Sequence, residues 1–170
     1  MNMEKKFELT DNFIINAFGV KLFQIKCTKS FKYAKEGDLG GYVEKDENLD
    51  QESDAWVYGN AWVYGDARVY GDAQVYGNAQ VYGNARVYGN ADIENDNNHC
   101  GFDCFGSCNR HTHAYLTKDN KVEITCGCFR GSIEEFEKEV EKTHSGKIYE
   151  KQYKAIINVI KIKFGLTDLI

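Results

Sequence analysis

Between Ala55 and Asn90 apolar and polar positions recur with a strict period of six. The unit A-x-V-Y-G-[ND] starts at Ala55, Ala61, Ala67, Ala73, Ala79 and Ala85, and Ile93 takes the next valine position. An α-helix cannot use this spacing, because six residues turn a side chain through about 600° and scatter successive valines around the axis. In a strand, by contrast, Ala and Val two apart point to one face. Each strand is followed by Gly-Asn or Gly-Asp, residues that accept positive φ at tight corners. The pattern predicts short strands joined by corners, with Ala and Val inward and Tyr outward, around an interior narrow enough to be filled by one small and one β-branched side chain per strand.

The flanks follow other patterns. In residues 1–42, Phe23, Ile25 and Cys27 alternate and predict a strand, and Ala17-Phe18-Gly19 predicts the turn before it. A coil of stacked strands exposes unpaired backbone at its mouth, so this segment is expected to cap it. Val43 and Leu49 begin the six-residue series, but Leu49 and Val57 are eight apart, which predicts a two-residue bulge in the first coil. Asn95-Asp96-Asn97-Asn98 ends the repeat, and residues 96–106 are expected to be an irregular, Gly- and Cys-rich linker. Beyond it, Asn109–Thr117 and Lys121–Phe129 alternate around Lys118-Asp119-Asn120 and predict a hairpin. Ser132 with Glu135 forms a capping box for a helix with Ile133, Phe136 and Val140 on one face. Tyr149, Tyr153, Ile156, Ile157, Ile160 and Phe164 mark a second helix stopped by Gly165. The expected organisation is a β cap at 1–42, a repeat coil at 43–95, a linker at 96–106 and a ββαα module at 107–170.

Residues 55–93 resemble the hexapeptide repeats of left-handed parallel β-helices, in which three hexads make one triangular coil. The resemblance implies a mainly β protein in which Val57 stacks on Val75 and Ile93, Val63 on Val81, and Val69 on Val87. It implies outer columns of Tyr58 on Tyr76, Tyr64 on Tyr82 and Tyr70 on Tyr88, with Trp56 and Trp62 also outward. Proteins of this kind are usually trimers, and a large exposed aromatic surface fits an interface, so a homotrimer is expected. The stretch from Phe7 through the repeats, and the run TCGCFRGSIEEFEKEVEKTH, are similar to hexapeptide-repeat proteins carried by phages and prophages and to the C-terminal module that follows such repeats in phage proteins.

Composition narrows the function. The chain has 170 residues and a formal net charge of −5, which gives no sign of general nucleic-acid binding. No apolar run reaches transmembrane length and no signal peptide opens the chain, so no membrane partner is expected and the expected location is cytoplasmic, the host cytoplasm for a phage-borne protein. Five of the six cysteines lie between Cys100 and Cys128, and with no export signal they are expected as thiols or metal ligands.

Two constellations could carry chemistry. If Lys118 pairs with Lys121, paired positions sum to 239, so that His111 faces Cys128 and His113 faces Cys126 on one side of the sheet. Two His and two Cys form a candidate zinc set. The alternatives are that Cys126 and Cys128 are small hydrophobes under a helix, or that they join a disulfide. The second constellation is an anion site at a helix entrance. Phe129-Arg130-Gly131-Ser132 brings an arginine and free backbone N–H groups to a helix N-terminus. Arg110 lies across the hairpin, Ser107 and Asn109 lie beside it, and Phe129 and Tyr115 could stack a ring. The alternative is that Ser132 and Glu135 simply cap the helix.

These observations predict a non-catalytic binding protein of phage type. Its trimeric scaffold would present clefts that sequester a small anionic, nucleotide-type ligand and blunt host anti-phage signalling. Two other readings remain: a structural or protein-docking module without a small ligand, and an acyltransferase-like enzyme. The repeat holds no histidine, so the base for the latter would have to come from beyond residue 98.

Overall fold

The computed structural model describes residues 5–166 and divides the chain into two compact units, Met1–Asp96 and Asn97–Ile170. In the first unit β1 (Phe7–Ile15), β2 (Lys21–Cys27) and β3 (Leu39–Val43) form an antiparallel meander. Seven two-residue strands follow: β4 (Trp56–Val57), β5 (Trp62–Val63), β6 (Arg68–Val69), β7 (Gln74–Val75), β8 (Gln80–Val81), β9 (Arg86–Val87) and β10 (Asp92–Ile93). They pair in parallel, β4 with β7 and β7 with β10, β3 with β5 and β5 with β8, and β6 with β9. Val57, Val75 and Ile93 are in register, so one coil takes eighteen residues and has three sides. The repeat is a β-solenoid.

Its stability follows from the repeat chemistry. All six repeat valines and Ile93 are fully buried, and the repeat alanines are buried beside them. Each buried valine contributes about 1.5–3 kcal/mol. The backbone ladder runs between coils, as in Trp62 N–H to Ala79 C=O at 2.9 Å and Tyr64 N–H to Val81 C=O at 3.0 Å. Tyr58 stacks on Tyr76 and Tyr64 on Tyr82 with nearly parallel rings, whereas Tyr70 meets Tyr88 edge-on. The bulge in the first coil is present: Val43 pairs with Val63 and Leu49 bridges to Val69, each twenty residues on. At the corner before Leu49, ahead of the bulge, the Asn48 side-chain amide donates to the carbonyls of Gly65 and Ala67.

The β1–β3 segment caps the coil with side chains acting as backbone. The Gln51 amide oxygen accepts from the N–H groups of Lys6 and Phe7, while its amide nitrogen donates to the Phe7 carbonyl. The Lys6 ammonium donates to the carbonyls of Ser53 and Ala55 at 2.7 and 2.8 Å. Trp56 corrects an expectation. It points away from the lumen, yet only 2 % of it is exposed, because Phe7 and Phe31 pack edge-on against it.

The second unit has four strands rather than two. β11 (His99–Phe105), β12 (Arg110–Leu116), β13 (Val122–Cys126) and β14 (Phe129–Ser132) form an antiparallel sheet in that order, followed by α1 (Ile133–His144) and α2 (Ile148–Lys163). Most of the stretch expected as a linker is therefore strand β11. Its Cys100 and Phe102 pack on the core formed by Ala114, Val122, Ile124 and Cys126 with Ile133, Phe136, Val140, Tyr153, Ile156, Ile157 and Ile160. Both helices thus lie on one face of the sheet. The Ser132–Glu135 capping box opens α1. α2 closes as a Schellman turn, with Gly165 N–H donating to Ile162 C=O and Leu166 N–H to Lys161 C=O.

Candidate functional site

The hairpin register differs from the expected one by a single residue. Leu116 pairs with Val122, His113 with Thr125 and Thr112 with Cys126. The turn holds five residues, Thr117–Lys121: Thr117 N–H donates to Lys121 C=O, and Asn120 takes φ 55°. A one-residue shift sends every side chain of one strand to the other face. His111 and His113 therefore lie on the face away from the helices, Cys126 lies under them, and Cys128 is exposed in the β13–β14 turn. The four residues do not fit a zinc site, and among the described residues no group of three or more His, Cys, Asp or Glu could hold a metal. The six cysteines are free thiols. Cys126 is a small buried side chain, accepting from the Thr112 hydroxyl at 3.3 Å and lying 3.7 Å from the Tyr153 hydroxyl.

The histidines form a row of their own. His99 Nδ1 lies 3.0 Å from His113 Nε2, and His111 Nδ1 lies 2.6 Å from an Asp103 carboxylate oxygen. Gly101 makes room for the row, since a Cβ there would lie 2.7 Å from His111 Cε1. His113 is only 1 % exposed, which leaves it poorly placed as a general base.

The helix-entrance anion site is not assembled either. The Arg130 guanidinium donates to both carboxylate oxygens of Glu123, at 2.7 and 3.1 Å, and Glu123 also accepts from the Tyr115 hydroxyl. The α1 N-terminus is taken by the chain's own carboxylates. Glu135 accepts from Ser132 N–H at 2.8 Å, and Glu134 accepts from the Ser132 hydroxyl, which holds that carboxyl below its ordinary range. Glu135 also fills the space beside Gly131, where a Cβ would meet its carboxylate at 2.5 Å. These carboxylates satisfy the helix dipole and would repel an external anion. The register explains the rest: Arg130 shares a face with Thr125 and His113, whereas Arg110 shares the helix-side face with Thr112 and Cys126. Ser107 is exposed in the β11–β12 turn, where Asn109 adopts φ 48°.

The structure instead gathers Arg110 and Phe129 in a cleft of about 350 Å³ on the helix side of the sheet. The Arg110 side chain lies over Gly127, where a Cβ would be 2.7 Å from its Cδ and 2.8 Å from a guanidinium nitrogen. One wall is aromatic: Phe129 lies 5.0 Å from Phe136, Phe136 lies 5.5 Å from Tyr153, and Tyr153 is stacked on His144 at 5.5 Å. Burial, and then the neighbouring Cys126, push the Tyr153 hydroxyl well above its ordinary pKa, so it is a neutral hydrogen-bonding group. Glu139, Thr143 and Cys128 complete the polar part of the lining. A cleft of this size with one cation, one carboxylate and stacked rings is suited to a small ligand with an anionic end and a flat ring. Glu139, Thr143, His144 and Tyr153 were not anticipated from sequence. The only signal for them was that Thr143 and His144 close α1 while Tyr153 lies in the first turns of α2.

Comparison with known families agrees with the solenoid. A family model described as "YdcK Beta solenoid repeat" matches residues 61–77 and 79–92, and no curated protein matches the chain. The class these observations define is a β-solenoid repeat protein that carries an α+β unit. Among the described residues no helix is long and apolar enough to cross a membrane.

Proposed function

We propose that this chain is a non-catalytic binding protein, a left-handed homotrimeric solenoid whose second units each offer the Arg110 cleft to a small anionic ligand of nucleotide type. The observation that carries this reading is the arginine at a cleft walled by Phe129, Phe136, Tyr153 and His144. A phosphate would pair with Arg110, a base would lie on the rings, and an exocyclic amine would suit Glu139. The likeness to phage-borne repeat proteins supports sequestration of a host nucleotide signal as the role. Isothermal titration with cyclic dinucleotides and with ADP-ribose tests it. Heat from one of them is expected, abolished by Arg110→Ala and unchanged by Arg130→Ala. Absence of heat from all of them, or equal loss in the two variants, would overturn the reading.

A second reading, a docking module without a small ligand, is favoured by the tyrosine columns, whose Tyr82 is 55 % exposed. Light scattering after size exclusion separates the two. A trimer that Tyr82→Glu dissociates, in a protein that gives no heat with nucleotides, supports the docking module.

A further inference from the structure

Three of the six thiols are exposed, Cys104, Cys108 and Cys128, and of these Cys128 lines the Arg110 cleft. The β13–β14 turn brings cation and cysteine together. Gly127, the residue before Cys128, takes φ 60°, and a Cβ there would lie 2.7 Å from the Arg110 Cδ and 3.0 Å from its Nε. The guanidinium therefore runs along the backbone of the turn that carries the thiol. Among the described residues Arg110 forms no ion pair, unlike Arg130, which Glu123 neutralises. Glu139 is the carboxylate of the lining. The Thr143 hydroxyl donates to it at 3.0 Å and the Lys142 ammonium lies 3.5 Å away. A carboxylate has about four lone-pair sites, so these contacts leave room for a further donor. A nucleophile, an open cation and a carboxylate thus share one small cleft.

We infer that Cys128 captures a small disulfide of glutathione type, one that carries both carboxylate and ammonium groups, as a mixed disulfide in this cleft. The charges select the reagent: Arg110 takes a carboxylate and Glu139 an ammonium. Size selects it as well, because about 350 Å³ lies at the lower end of small-ligand sites and suits a tripeptide rather than a folded partner. In the exchange the Cys128 thiolate attacks one sulfur of the reagent. A new S–S bond forms, the reagent's own S–S bond breaks, and the leaving thiolate takes the proton that Cys128 gave up. One disulfide is consumed and one is made, so electrons balance without a further oxidant. The captured group would fill the space assigned above to a nucleotide's anionic end; that consequence rests on the proposed binding role, whereas the capture itself does not.

The test incubates the reduced full chain with oxidised glutathione, or with cystamine, a disulfide that bears only ammonium groups. Peptide mass spectrometry then reads the rate at each cysteine. An exposed ion pair changes such a rate by about two- to fivefold. Relative to Cys104 in the same molecules, Cys128 should take up the glutathione group about threefold faster, and cystamine should show no such excess. Arg110→Ala should erase the preference, Arg110→Lys and Arg130→Ala should keep it, and raised salt should shrink it. Arg110 is exposed, so circular dichroism should show its variants folded. Uncharged iodoacetamide should modify Cys128 alike in the parent chain and in Arg110→Ala. Three results would each overturn the inference: no preference at Cys128 between the two disulfides, an equal fall of iodoacetamide reactivity in Arg110→Ala, or a Cys108–Cys128 disulfide in place of the adduct. Nucleotides take no part, so a failure to bind them leaves this result standing.

Discussion

Two corner glycines of the solenoid separate backbone conformation from space. Gly77 and Gly83 have nearly the same conformation, φ 63° and 67°. At Gly83 an added Cβ would meet nothing within 4 Å, whereas at Gly77 it would lie 2.4 Å from the Glu94 carbonyl oxygen. Alanine in the left-handed region costs about 1–2 kcal/mol, and its stiffer unfolded chain returns about 0.4–1 kcal/mol. Gly83→Ala should therefore destabilise by about 1 kcal/mol. Gly77→Ala bears the same cost and must also move the Glu94 carbonyl, which accepts from Asn78 N–H at 3.1 Å. A lost ladder bond of about 1 kcal/mol and backbone strain of about 1 kcal/mol bring it to about 3 kcal/mol. The gap of about 2 kcal/mol is a factor of roughly 30 in the unfolding constant. Urea unfolding followed by the emission of Trp56 and Trp62, which both lie in the solenoid coils, measures it. Equal losses in the two variants would refute the inter-coil contact at this corner.

Other expectations are checked as directly. Burial lowers the Lys6 ammonium to about 8 from its ordinary 10.5; across that window the unfolded chain binds more protons, so stability should rise with pH and fall again as pH drops through 8, a slope absent from Lys6→Met in urea melts at stepped pH. Burial raises the Cys100 thiol to about 11 from 9.0, so its contribution, complete below pH 9, should be lost as pH climbs through 11, and Cys100→Ala should remove that loss in the same melts. Iodoacetamide on the native protein should modify Cys104, Cys108 and Cys128 quickly and spare Cys27 and Cys126 until denaturant is added, as read by peptide mass spectrometry. Ser132→Ala removes the α1 cap and should destabilise the second unit by about 1 kcal/mol in thermal melts followed at 222 nm.

The solenoid was legible because period and composition fix it together: valine every sixth residue leaves one arrangement that buries them all, and the eight-residue step from Leu49 to Val57 placed the bulge. Trp56 was misplaced because the rings that cover it, Phe7 and Phe31, come from far along the chain and no local pattern announces them. β11 was hidden by its content. Gly101 and Asp103 have weak strand preference, and only the packing of Cys100 and Phe102 on the core reveals the strand. The cleft was half legible. Arg110 and Phe129 were singled out, but the walls that make them a site come from two helices whose residues read from sequence as caps and core.

The hairpin register shows why a local reading of that unit could not suffice. Alternation fixes which residues share a face but not which face is inside, and both faces here hold buried side chains, His113 and Tyr115 on one and Ala114, Ile124 and Cys126 on the other. The deciding term is the helices. Val122, Ile124 and Cys126 must meet Phe136, Tyr153, Ile156 and Ile160, and turning them outward would forfeit about 1.5–3 kcal/mol for each large apolar side chain exposed. That energy outweighs the preference for a two-residue turn, and the longer turn needs positive φ only at Asn120, a residue that tolerates it. Once the core has set the register, the two arginines have no choice. Arg130 falls on the face where Glu123 neutralises it, and Arg110 falls on the face where the sheet end and the two helices leave a cleft. The residue best placed for an anion is thus selected by the packing of side chains that never touch it.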